Sequence, residues 1–234
     1  MPEIKVGMAV ETSPGYLSIP DAAWKVSLVE AEVWVPRTPA GEPANGDIRR
    51  GRLVSLGNKI MASRMNSGLA PLLPRLLEIT GTEQIDDKDQ PALHNQILKL
   101  QLEMKSYNSL TPLAELVSLL GSGPGLTPSG DDFILGMLLA LNRWKILFSI
   151  TSDLEELNEE IVDAAYQRTT TLSANLIECA TLGLGNERLI DTLDWILSGS
   201  DDKSISVDNL LTWGSSSGID AFVGYVVALS KIAF

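Results

Sequence analysis

The sequence predicts an α+β fold: a small β-rich N-terminal region over residues 1–65, followed by a mainly α-helical domain over 66–234 with two pseudo-equivalent buried helices. Three observations carry this. The first sixty residues are rich in Val, Trp and Thr with turn signals between them, the apolar period then changes toward 3.6, and two apolar segments each follow a Gly- and Ser-rich loop. With 234 residues and 44% hydrophobic content, the chain can bury a sizeable core.

Along the N-terminal region, Ser13-Pro14-Gly15 and Ala44-Asn45-Gly46-Asp47 read as turns, and partial alternation suggests short strands at 26–35 and 52–56. Beyond Asn66, Leu69, Leu72, Leu73, Leu76 and Leu77 form one helical face, with Pro71 and Pro74 confining its start. Residues 86–89 read as a charged linker. Leu93, Ile97, Leu100 and Met104 then line an amphipathic helix over 91–105, and Thr111-Pro112 opens another that stops at Gly121. A loop by composition leads to a buried helix over 131–145. Ser152, with Glu155 three residues on, starts a long helix expected to run to about 181. Asn186 caps a helix to Leu197, 199–203 is a solvated loop, and a short helix over 206–211 precedes a last apolar helix over 218–233.

The net charge of −12 is uneven: from Tyr107 onward there are 6 Lys or Arg against 17 Asp or Glu. Phosphate neutralisation needs a basic stripe, and its absence argues against nucleic acid as a partner. The apolar stretches fall short of the ~20 residues that span a bilayer, so no membrane is expected. The opening Met-Pro-Glu-Ile-Lys-Val shows no leader pattern, and a cytoplasmic location is the expectation. Cys179 reads as a buried small hydrophobe, and His94, on the helix with Leu93 and Ile97, as a surface or half-buried histidine.

The chemistry concentrates in a loop-to-helix junction that occurs twice. Ser129-Gly-Asp-Asp-Phe-Ile-Leu-Gly136 recurs 88 residues later as Ser217-Gly-Ile-Asp-Ala-Phe-Val-Gly224, and both continue into Ala-Leu. In each, a Ser stands where an N-cap belongs and a carboxylate follows three residues on. A glycine four residues after each Asp permits close backbone approach, so Gly136 and Gly224 are expected at the crossing of the two helices, their tips facing a common pocket. The first loop adds Gly123, Gly125, Thr127, Ser129 and Gly130 beside a helix N-terminus, a cradle suited to phosphate or carboxylate. Asp131 and Asp132 would repel a bare anion, which calls for a cation, an amide or an ammonium between them, as in a metal-bridged phosphate or a ligand bearing both N–H and anionic groups. Arg168, Thr170 and Ser173, placed in mid-helix, are the second constellation, with Arg168 as the missing cation; Ser217 and Gly218 complete the set. The plain alternative is that these groups only cap helices and bond to their own backbone. The sequence names no cofactor. The lone His and Cys do not make a zinc site, while Mg²⁺ on Asp131 or Asp132 with a ligand phosphate is compatible with the residues.

Gly121-Ser-Gly-Pro-Gly-Leu-Thr-Pro-Ser-Gly-Asp-Asp-Phe-Ile-Leu-Gly136, then Thr169-Thr-Thr-Leu-Ser173, Gly183 and Gly214-Ser-Ser-Ser-Gly-Ile-Asp-Ala-Phe-Val-Gly224 resemble, in order, the motifs of a family. It is that of the third, smaller subunit of bacterial oxamate carbamoyltransferase. The resemblance implies a role in allantoin and purine-nitrogen breakdown beside larger subunits, with carbamoyl phosphate, oxalurate or phosphate as the small anionic substrate. It implies a pocket in which Asp131, Asp132 and Asp220 meet ureido or amide N–H groups. A non-catalytic binding or scaffolding subunit and a stand-alone Mg²⁺-dependent phosphohydrolase are the competing readings.

Overall fold

Pro14 and Gly15, the latter at φ +75°, turn the chain between the first two strands, because proline presets the first turn position and glycine tolerates the second. Strand β1 (Glu11–Ser13) pairs antiparallel with β2 (Tyr16–Ile19), and β2 with β3 (Trp24–Ser27), registering Leu17 on Val26. Lys25 Nζ lies 3.8 Å from the Tyr16 ring centroid across the second pair. The computed structural model describes residues 4–5, 7–32, 35–39, 42–63, 67–79, 91–106, 113–148, 151–199 and 207–233. It divides into two units, Met1–Pro36, which holds this meander, and Arg37–Phe234, which holds the helices. The linker at 86–89, the Thr111-Pro112 helix start, Ser206 and residues 200–203 lie outside the described residues.

The predicted strand at 52–56 is instead the middle of helix α1 (Gly46–Ala62). Leu53, Leu56, Gly57 and Ile60 are its buried positions, a period near 3.6 that a five-residue window hides. The turn signal at 44–47 is its N-terminus: Asn45 Oδ1 accepts from the Ile48 N–H at 2.9 Å. The strand expected over 26–35 ends at Ser27, and Val33 and Trp34 lie outside the described residues.

Helices α2 (Leu73–Leu76), α3 (Pro91–Ser106), α4 (Leu113–Leu119), α5 (Ser129–Arg143), α6 (Thr151–Arg168), α7 (Thr171–Thr181), α8 (Glu187–Leu197), α9 (Val207–Leu211) and α10 (Ser217–Ala233) follow. The long helix expected from 152 to 181 breaks at Thr169 and Thr170, because Thr170 leaves helical geometry (φ −70°, ψ 150°) to cap α7. Helices α5 and α10 are apolar nearly all round and form the core axis, as such helices must. Helix α7 packs on α5, while α1 and α3 pack on α10. At its far end α5 is clamped by Arg143, whose guanidinium forks onto Asp194 of α8 at 2.8 and 2.7 Å. No helix among the described residues is long and apolar enough to cross a membrane.

The α5–α10 contact has the reciprocity of a two-fold axis. A Cβ on Gly136 would sit 2.0 Å from the Ala221 carbonyl oxygen, and one on Gly224 would sit 2.2 Å from that of Phe133. Phe133 and Ala221 are themselves counterparts, each three residues before the glycine. The likeness extends outward: Gly130 lies against the carbonyl of Leu119, and Gly218 against that of Leu210. Gly130 donates its N–H to Ser122, and Gly218 donates its own to Trp213, each acceptor three residues beyond that leucine. The repeated unit is therefore a short helix, a loop and a buried helix, with a longer loop in the first copy.

Candidate functional site

The duplication crosses the two helix tips, so each tip's serine faces the other's carboxylate. The Ser129 hydroxyl faces Asp220, the Ser217 hydroxyl faces Asp132, and each favours the ionised form of the acid it faces. Thr127, from the longer first loop, reaches across to Ser217, Oγ to Oγ at 3.2 Å. Ser129, Ser217, Asp132 and Asp220 thus meet in one buried polar cluster, with Asp132 only 1% exposed and Asp220 fully buried.

Neither serine is the cap its position suggests. Pro128 and Ser216 occupy the cap positions, and Ser129 and Ser217 are the first helical residues. The carbonyls of Pro128 and Ser216 each accept two of the first free N–H groups, from Asp131 and Asp132 in one case and from Ile219 and Asp220 in the other. Gly130 and Gly218 are also engaged, so the N–H groups of residues 130–132 and 218–220 are bonded internally. The serine hydroxyls are thereby free to serve the cluster.

The three carboxylates differ. Asp131, also buried, holds the loop: its Oδ1 accepts from the Gly121 N–H at 2.7 Å and its Oδ2 from the Thr169 hydroxyl. Asp220 is saturated, its Oδ1 accepting from the Leu69 N–H at 2.6 Å and its Oδ2 from the Ser216 hydroxyl at 3.0 Å. Gly68 makes the first bond possible, since its φ of +60° and the Asp220 oxygen 2.2 Å from any Cβ leave room for no other residue. Asp132 is not saturated: its Oδ2 is buried with no hydrogen-bond partner among the described residues. Such an oxygen costs roughly 1–3 kcal/mol.

Burial dominates the proton equilibria. It raises Asp132 to about 7, against the pull of the Ser217 and Thr127 hydroxyls, with repulsion from Asp220 and Asp131 adding to the rise. It raises Asp220 to about 6, against its bonds from Leu69, Ser129 and Ser216 and the positive charge His94 carries when protonated. His94 corrects the surface reading: it is 4% exposed, on α3, and within electrostatic reach of Asp220. No local signal marked it or the Ser67–Leu69 turn, because their partner lies on α10.

Thr170 and Ser173, expected in mid-helix, instead begin α7. Their hydroxyls donate to the Leu126 carbonyl at 2.7 and 3.3 Å, fastening the Gly-rich loop. Gly123 (φ +115°) lies against the Ser129 N–H within that loop, and Gly125 is exposed in it. Arg168 is exposed at the end of α6, its carbonyl against Gly121. Among the described residues no three His, Cys, Asp or Glu side chains group as a metal site.

Fold and cluster together define a helical domain built on an internally duplicated loop-and-helix unit, with a hydroxyl–carboxylate cluster where the two copies cross. Residues 119–229, the segment that spans both copies, match the family model described as oxamate carbamoyltransferase subunit AllH. No solved structure matches it significantly.

Proposed function

We propose that the chain is a subunit of an oxamate carbamoyltransferase complex and contributes the crossed-tip cluster to a carbamoyl-binding site. The observation that supports this is the coincidence of the family segment with the buried cluster: one carboxyl satisfied and rigid, the other open and poised near neutrality. Carbamoyl transfer moves a group that carries an NH₂ and a carbonyl, and both hydrogen-bond types are needed around it. Asp132, titrating about 7, accepts from N–H when ionised and donates to a carbonyl oxygen when protonated. Asp220 and His94 hold the opposite wall, and Asp131 with Thr169 holds the loop that carries Thr127. With the N–H groups of residues 130–132 and 218–220 bonded internally, we assign the anionic end of carbamoyl phosphate, oxalurate or phosphate to Arg168 and to the larger partner subunits. The reading places the complex in the cytoplasm, in allantoin and purine-nitrogen breakdown.

Alanine replacement of Asp132 and of Asp220 in the reconstituted complex tests it. Each is expected to lower turnover by about tenfold or more, the loss of one charge-assisted hydrogen bond. Unchanged turnover in both would remove the cluster from the reaction and leave a scaffolding subunit.

A further inference from the structure

Within the duplication, residue 220 tells what residue 132 lacks. Aligned at the 88-residue offset, Ser216-Ser217-Gly218-Ile219-Asp220 stands on Pro128-Ser129-Gly130-Asp131-Asp132. In the second copy the cap residue, Ser216, donates its hydroxyl to Asp220 Oδ2 at 3.0 Å. In the first copy the same place is proline, which has no hydroxyl to give, and Asp132 Oδ2 is the oxygen left buried without a partner. A buried carboxyl oxygen without a partner calls for a donor.

We propose that Asp132 Oδ2 accepts an N–H from the uncharged primary amide or carbamoyl NH₂ of a small-molecule ligand, in the place that the Ser216 hydroxyl takes on Asp220. The inference deepens the carbamoyl-transfer reading and rests on it for the choice of probe. The surroundings select the class of ligand. An anionic group is repelled, since Asp131 and Asp220 already act on Asp132 through their charge. A hard divalent ion needs several oxygen ligands, and no such group of three acids forms among the described residues. A neutral amide suits both the carboxyl oxygen and the hydroxyls beside it. One of its hydrogens meets Asp132, and the other meets a hydroxyl lone pair of Thr127 or Ser217.

Calorimetry on the assembled complex at pH 8 tests the proposal with oxamate, which carries a primary amide, and oxalate, which carries a carboxylate in its place. Oxamate is expected to bind, and oxalate about tenfold or more weakly by comparison. Pro128→Ser supplies a hydroxyl and is expected to weaken oxamate about tenfold, because that hydroxyl donates to Asp132 Oδ2 itself. Its backbone (φ −55°, ψ 149°) already suits serine. Pro128→Ala, which loosens the loop equally without adding a hydroxyl, is expected to bind oxamate as the parent does. Equal binding of oxalate and oxamate, no binding of oxamate, an unaffected Pro128→Ser, or a Pro128→Ala as weak as Pro128→Ser would each overturn the inference. If Pro128→Ser is unaffected while Asp132→Ala loses turnover, only this inference falls. If both alanine variants keep full turnover, the broader reading falls with it.

Discussion

Replacing Asp132 by Asn turns the cluster's electrostatics into a stability curve. In the unfolded chain this carboxyl releases its proton near 3.8, whereas in the folded chain burial holds the proton until about pH 7. Below pH 3.8 both states are protonated and the side chain carries no ionisation penalty. Between roughly pH 4 and 7 the unfolded state gains by ionising while the folded state does not, so stability is lost as pH rises, and the loss levels off above the folded value. The gap between 3.8 and about 7 corresponds to roughly 4 kcal/mol in total. Asn is nearly isosteric and cannot ionise. The Asp132→Asn chain is therefore expected to match the parent, apart from a constant offset, at about pH 4.5 and to exceed it by roughly 3–4 kcal/mol more at about pH 8.5. Urea unfolding across that range, followed by circular dichroism, gives the difference directly. A difference that stays flat within about 1 kcal/mol would show that Asp132 ionises as a solvated acid does and is not buried in this cluster.

Four further outcomes follow from the same geometry. Gly136→Ala and Gly224→Ala, each driving a methyl into a facing carbonyl, should lose about 3 kcal/mol or more in urea unfolding, where an ordinary helical glycine would gain about 1 kcal/mol from alanine. Gly68→Ala should separate the Leu69 N–H from Asp220, seen as faster hydrogen exchange at Leu69 than at Leu53. Thr169→Val should release Asp131 and the Gly-rich loop, seen as faster proteolysis within 121–128, while Thr171→Val should not. His94→Gln should raise the Asp220 titration above about 6, since the histidine's charge favours the carboxylate; an unmoved carboxyl resonance in NMR would exclude that coupling.

The central contact was legible because two glycines at one offset from two Ser-Gly-x-Asp tips leave few ways to pack, and Gly136 and Gly224 do meet the opposite backbone. The exact cap position was not. Serine outranks proline as an N-cap on preference alone, and only the crossing of the helices gives Ser129 and Ser217 better partners than their own N–H groups. Helix α1 was hidden by a short window, since residues 52–56 alternate in part while Leu53, Leu56 and Ile60 repeat at helical spacing. The three consecutive threonines, poor helix formers, signalled the α6–α7 break, yet a continuous apolar period on both sides masked it. His94 and Gly68 carried no local signal at all: their meaning depends on Asp220, which only the packing of α3 and the Ser67–Leu69 turn onto α10 brings near.

A crystal structure of the assembled complex with oxamate bound measures the central claim most directly. The account predicts the amide nitrogen at about 2.9 Å from Asp132 Oδ2, with Thr127 and Ser217 beside it. Oxamate seated away from the crossed tips, with Asp132 Oδ2 still unpartnered, would contradict it.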